Sequence, residues 1–202
     1  ADKFEEFIKA HPDHTVISYV NTTANVKALT DIVVTSTNAK QIIDQLSLDD
    51  KIILGPDQNL GNYITKITGR NMLLWDGACH VHENFSIKKL IQLKEEHPDA
   101  VTIAHPECPQ SLLILADFIG STQDVLNYTT NSEYKKFLVA TESSILHQMK
   151  KNNPDKMFIP VPPNDSTSAC NQCNYMRFNT LEKLYLCLKN ESPEILIDKA
   201  LR

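Results

Sequence analysis

Thiols, imidazoles and carboxylates fall in three groups of this chain where their spacing could do chemistry. Cys170-Asn171-Gln172-Cys173 holds two thiols at a spacing that lets both thiolates reach one metal ion. Cys79 follows Trp75-Asp76-Gly77-Ala78 directly after a predicted strand, with His82 three residues on. Both stretches are expected in loops near strand ends, where thiols could converge. One such pair and one distant cysteine also arise without a metal, so a metal site and an incidental pair both stand at this point. Cys108 and Cys187 fall in predicted helices among apolar residues and read as core thiols.

His105-Pro106-Glu107 is the second group, an imidazole and a carboxylate suited to proton transfer. The proline biases His105 toward extended backbone, so the strand is expected to end there. Glu107 then sits at the start of a helix, where an acidic residue is also simply good helix chemistry. Ser36 and Thr122 form the third group. Each follows a predicted strand and precedes a helix, as an N-cap or as part of an anion site with the helix amides. His80 and His82 could be ligands, but a loop histidine is usually solvated. His11 and His97 each precede a proline and are expected to end helices. Glu95-Glu96 reads as a solvated face.

An offset of 86 residues relates these groups: Tyr19 falls on His105, Asn21 on Glu107 and Ser36 on Thr122. The same shift carries Val16–Asn21 onto Thr102–Glu107 and Asp31–Ser36 onto Asp117–Thr122. Solenoid units are typically about 20–50 residues, so a repeat of this length reads as a duplicated domain. Ligands of parallel α/β sheets bind beyond the carboxyl ends of the strands. One site between two like domains is the expectation.

The elements that must position these groups alternate in a βα pattern. Strands are expected at 15–20, 31–35, 51–54 and 71–75, with helices at 2–10, 23–29, 38–47 and 58–66. A second series places helices at 87–97, 109–116, 122–129 and 144–152 and strands at 101–105, 117–120, 136–140 and 157–161. Helices at 179–189 and 192–201 follow a polar loop. The strand runs carry few charges, as sheets covered on both faces require.

A net charge of −5 argues against nucleic acid as a main partner. No apolar run approaches the ~20 residues that span a bilayer, so no membrane association is expected. The five cysteines are an odd number without a secretory pattern, which points to a reducing, cytoplasmic setting. The charged start Ala1-Asp2-Lys3-Phe4-Glu5-Glu6 reads as the middle of a protein.

Ordered motifs then carry a resemblance over the whole chain. They are His11-Pro12-Asp13, Ser18-Tyr19-Val20-Asn21-Thr22, Val34-Thr35-Ser36-Thr37-Asn38-Ala39 and Pro56-Asp57-Gln58-Asn59-Leu60-Gly61. Trp75 through Glu83, His105-Pro106-Glu107-Cys108, Gly120-Ser121-Thr122, Ala140-Thr141-Glu142 and Cys173-Asn174-Tyr175-Met176 complete the set. In this order they resemble quinolinate synthase, the A protein of bacterial NAD biosynthesis.

The resemblance implies an α/β fold of repeated three-layer domains with short parallel sheets. The full-length family arranges three of them pseudo-threefold, and two are expected here: 1–82, 83–175 and then a helical segment, 176–202, that packs on the missing first domain. It implies condensation of iminoaspartate with dihydroxyacetone phosphate to quinolinate, releasing phosphate and water. It implies a [4Fe–4S] cluster with one open iron, Cys79 and Cys173 being two of its three ligands. Cys170 would be a free loop thiol, or pair with Cys173 when the cluster is absent. Tyr19, Val20, Asn21, Ser36, His105, Pro106, Glu107 and Thr122 would bind substrate, with His105, Glu107 and Tyr19 catalytic. L-aspartate oxidase is a candidate supplier of iminoaspartate. The missing part would leave this chain inactive alone. A related three-cysteine iron–sulfur enzyme of the diphthamide-biosynthesis kind, and a non-catalytic anion- or metal-binding module, are the competing expectations.

Overall fold

The computed structural model describes residues 1–165 and 171–201. The first series runs α1 (Asp2–Lys9), β1 (His14–Tyr19), α2 (Ala24–Lys27), β2 (Ile32–Val34), α3 (Ala39–Gln45), β3 (Lys51–Leu54), α4 (Gln58–Thr68) and β4 (Leu73–Leu74). After α5 (His80–Glu83) the second runs α6 (Ile87–Glu96), β5 (Val101–Ala104), α7 (Gln110–Leu113), β6 (Phe118–Ile119), α8 (Thr122–Asn131), β7 (Lys136–Ala140), α9 (Ile145–Asn152) and β8 (Met157–Pro160). The last α-helix is α10 (Leu181–Asn190).

Two four-stranded parallel sheets result, in the orders β2-β1-β3-β4 and β6-β5-β7-β8. The order is the same in both halves, as a duplication requires. The register repeats too: Ile17 pairs with Ile32, and Ile103 with Phe118, each 86 residues on. An aspartate clasp recurs with it. Asp31 accepts the Val16 amide through Oδ2 at 2.8 Å, and Asp117 accepts that of Thr102 at 2.7 Å. The return bonds, Asp31 N–H to Val16 O and Asp117 N–H to Thr102 O, are 2.9 and 2.8 Å.

Both faces of each sheet are covered, which is why the strands read as continuous apolar runs. Ile17, Ile52 and Leu54 pack into one cluster, while Val16 and Ile53 join Phe4 on the opposite face. In the second sheet Ala104 and Leu138 face one way, and Ile103, Phe137 and Val139 the other. Tyr63 of α4 touches clusters of both halves and joins them. None of the described helices is long and apolar enough to cross a membrane.

Four sequence expectations need correction. Residues after Cys79 form a short helix, α5, rather than a loop. The helix after β5 starts only at Gln110, because Pro109 fixes the entry, so Glu107 and Cys108 lie in a turn before it. Cys108 is fully buried as expected, its thiol donating to Ala140 O at 3.4 Å. Cys187 is half-exposed instead, on a helix with no buried residue. No helix spans 192–201, where only a 3₁₀ turn at Lys199–Leu201 forms. Glu191 ends α10 in the left-handed region at φ 50°, and Pro193 disfavours helical backbone at Ser192. Ile195, Leu196 and Ile197 remain exposed, and so short a segment does not hold a helix without packing.

Candidate functional site

A cavity of about 1030 Å³ lies at the carboxyl ends of both sheets. Tyr19 and Asn21 reach it from the end of β1, Asp57 from beyond β3, and Cys79 and His82 from beyond β4. His105 and Glu107 enter from the end of β5, Thr122 from beyond β6, and Thr141 and Glu142 from beyond β7. Cys173, Tyr175 and Met176 close one side. Seven of the residues singled out from sequence therefore share one wall: Tyr19, Asn21, Cys79, His105, Glu107, Thr122 and Cys173. Ser36 stands behind His105, and Pro106 is buried. Val20 is exposed and spends its amide on Val34 O at 2.8 Å. Cys170 lies outside the described residues.

Neither Ser36 nor Thr122 caps its helix. Asn38 precedes α3 and accepts the Thr35 amide, while Ser121 caps α8 in a reciprocal box with Asp124. Ser36 instead faces His105 Nε2 at 3.2 Å. The Glu107 amide donates to His105 Nδ1 at 3.3 Å. Nδ1 must then carry no proton, which puts the proton on Nε2 and makes Ser36 Oγ its acceptor. Burial first, and then the positive His82, push the His105 pKa down to about 4, so the ring is neutral.

His82 is buried, not solvated, and stacks on His105 with centroids 4.7 Å apart. Its Nδ1 lies 3.0 Å from Glu107 Oε2, and its Nε2 lies 3.4 Å from Thr141 Oγ1. Burial opposes the imidazolium, but contacts with Cys79 and Glu107 outweigh it and hold the pKa up at about 9. Burial likewise opposes the Glu107 anion, and His82, His105 and Tyr19 outweigh it, lowering the pKa. The Nδ1–Oε2 approach is short but off the hydrogen-bonding direction. Nδ1 and the second carboxylate oxygen, Oε1, therefore lack hydrogen bonds among the described residues, and charge holds the pair. Burial and then the Glu107 charge push the Tyr19 phenol up to about 12, so it remains a donor.

Sequence reasoning passed over Asp57, Thr141 and Glu142 as individuals and set His82 aside. Asp57 is buried; its Oδ1 accepts the Leu60 amide at 2.9 Å and its Oδ2 the Cys79 amide at 2.7 Å. Burial leads, with Glu107 adding to it, in raising the Asp57 pKa to about 6. A signal existed: an aspartate three residues before Leu60 at a helix start is an N-cap pattern. Glu142 accepts the Cys173 amide at 3.1 Å. Ligand atoms of Cys79, His82 and Glu107 all lie within 4.8 Å of one another, a donor set that could hold a metal ion.

Duplicated parallel sheets with thiol, imidazole, hydroxyl and carboxylate groups of both halves on one cavity define an α/β protein with a cavity shared by two like units. The chain belongs to the quinolinate synthetase A protein family, whose model matches residues 1–202. It is 53% identical over 201 residues to a quinolinate synthase of Synechococcus sp. (strain ATCC 27144 / PCC 6301 / SAUG 1402/1), covering 100% of this chain and 63% of that protein. Identity is 53% over 199 residues to the quinolinate synthase of Chloroherpeton thalassium (98% of this chain, 62% of that one). It is 54% over 198 residues to that of Synechocystis sp. (strain ATCC 27184 / PCC 6803 / Kazusa), with the same coverage. The chain thus spans about 63% of the length of the curated relatives it matches. This membership sets the diphthamide-biosynthesis alternative aside.

Proposed function

We propose that this chain supplies two domains, 1–82 and 83–175, and the following segment of a quinolinate synthase. The reaction joins iminoaspartate to dihydroxyacetone phosphate, giving quinolinate, phosphate and water. One observation carries the reading: two thiols and the donors suited to a dicarboxylate and a phosphate line a single cavity. Tyr19, Asn21 and Thr122 offer hydroxyl and amide donors there. Neutral His105 presents its Nε2 proton to Ser36, and Glu107 is a carboxylate poised against His82 that can accept a proton. Proton transfers of elimination and tautomerisation need such groups near neutral pH.

Cys79 and Cys173 would hold part of a [4Fe–4S] cluster. Both are free, partly exposed thiols on the cavity wall, and thiolates are the ligands such clusters take. A further ligand would come from outside this chain. When bound, a cluster with one open iron supplies a Lewis acid that polarises a hydroxyl oxygen. A cytoplasmic setting and supply of iminoaspartate by L-aspartate oxidase belong to this reading. The chain alone would be inactive, since catalysis needs the whole set of positioned groups.

Anaerobic reconstitution with iron and sulfide tests it, on this chain and on the longer protein that contains it. The longer protein should become brown and form quinolinate, and this chain should not form it. A second reading, a colourless zinc-type site, is favoured by the Cys79, His82 and Glu107 donor set. A protein that takes up zinc and no iron supports that one.

A further inference from the structure

We propose that Asp57 and Glu142 are paired positioning residues, equivalent carboxylates of the two repeats that each fix the backbone of one cavity cysteine. The inference rests on the reading that Cys79 and Cys173 are metal ligands.

Equivalence follows from strand pairing. Ile17 pairs with Leu54 in the first sheet, and Ile103 with Val139 in the second. β1 and β5 are 86 residues apart (17 to 103), whereas β3 and β7 are 85 apart (54 to 139). Adding 85 to Asp57 gives Glu142. Asp57 Oδ2 accepts the Cys79 amide at 2.7 Å, and Glu142 Oε1 accepts the Cys173 amide at 3.1 Å. A second bond repeats beside the first. Gln58 N–H donates to Gly77 O at 2.8 Å, and Ser143 N–H donates to Asn171 O at 3.4 Å. In both halves the residue after the carboxylate therefore grips the carbonyl two residues before the cysteine.

Local sequence does not force this likeness. Cys79 comes five residues after the end of β4 (74 to 79), but Cys173 comes thirteen after the end of β8 (160 to 173). Loops of different length and composition deliver a cysteine amide to the same point of the fold. Each carboxylate also secures the helix that follows it. Asp57 Oδ1 caps α4 through the Leu60 amide, and Glu142 Oε2 accepts the Ser144 amide at 2.8 Å, just before α9. Strand end, helix start and cysteine loop are thereby locked together in each repeat. An outer group that orients a metal ligand typically changes metal retention by about 10–100-fold.

Amide substitutions isolate the effect. Asn or Gln keeps the volume but presents an NH₂ where one of the two backbone N–H groups needs an acceptor. Asp124→Asn is the control, because Asp124 also secures a helix start, as the reciprocal member of the α8 capping box, and among the described residues its carboxylate bonds only to Ser121. The first measurement uses the metal-free, reduced chain, following alkylation of each cysteine by mass spectrometry, with Cys187 as internal reference. Asp57→Asn should change the rate at Cys79 alone, and Glu142→Gln the rate at Cys173 alone. The second uses the longer, reconstituted protein and follows iron loss to a chelator. Both variants should lose iron about tenfold faster or more, while Asp124→Asn behaves as the unsubstituted protein. Unchanged alkylation overturns the proposal. So do rates that follow melting temperature across all three variants. If the unsubstituted protein takes up no iron, the cluster reading fails and alkylation alone decides the clasps.

Discussion

Glu107 lies 3.0 Å from His82 across the join between the two repeats, with His82 on α5 after the first sheet and Glu107 in the turn after β5 in the second. Both side chains are under 10% exposed. A buried charge pair contributes little net stability against an apolar replacement, because desolvation offsets the attraction. Its consequence here is geometric: it ties the Cys79 segment to the turn that carries His105, so the two halves share one arrangement at the cavity.

Breaking the pair from one side should therefore be costly. His82→Ala leaves the Glu107 carboxylate buried without its cation, a loss of about 3–5 kcal/mol. The double variant His82→Ala/Glu107→Gln should recover part of that loss. Urea unfolding of the unsubstituted protein, His82→Ala, Glu107→Gln and the double variant measures the coupling, and strictly additive losses would show that charge does not hold the contact.

His105 provides a pH signature. Its folded pKa, about 4, lies below the ordinary 6.5. The unfolded chain then binds the extra proton between these values, so the stability is present above pH 6.5 and is lost as pH falls toward 4. Unfolding free energy should decline more steeply over this window in the unsubstituted protein than in His105→Gln. Nitrogen-15 NMR should show a neutral ring protonated at Nε2 at pH 6. A charged ring at that pH contradicts the assignment.

Much of this architecture was legible because it rests on periodicity. The 86-residue offset located β5 and β6 from β1 and β2, and the strand order agreed. The apolar runs gave all eight strands because both faces of each sheet are buried. The roles of single side chains were less legible. His82 looked like a solvated loop histidine, since nothing local shows that Glu107 and Thr141 arrive from the other repeat. Ser36 and Thr122 looked like N-caps, and their neighbours Asn38 and Ser121 hold those positions. The helix read over 192–201 had suitable apolar residues, but among the described residues nothing covers Ile195, Leu196 and Ile197.

The aspartate clasps of the two sheets should behave as independent copies. Asp31→Ala and Asp117→Ala each remove an acceptor from the amide of a central strand. Each should cost about 1 kcal/mol, and the double variant about the sum, since the two clasps share no partner. Asp117→Ala should be the more damaging, because Lys94 also bonds to that carboxylate, at 3.4 Å. Urea midpoints decide the matter, and equal midpoints for unsubstituted and double-variant proteins would show the clasps to be energetically silent.

The cysteine pair at 170 and 173 should divide by function. A metal site built on the Cys-x-x-Cys spacing, as distinct from the Cys79, His82 and Glu107 set, would use both thiols. The proposed cluster uses Cys173, whose amide Glu142 fixes and whose side chain reaches the cavity wall. In the longer protein, Cys173→Ser should lose the cluster, while Cys170→Ser should keep it. Iron per chain and the visible spectrum, both taken anaerobically, read the outcome. Oxidation adds a second contrast: a Cys170–Cys173 disulfide would remove a ligand, so Cys170→Ser should also resist inactivation by mild oxidants before reconstitution. Equal iron loss in both serine variants would instead assign the whole pair to the metal.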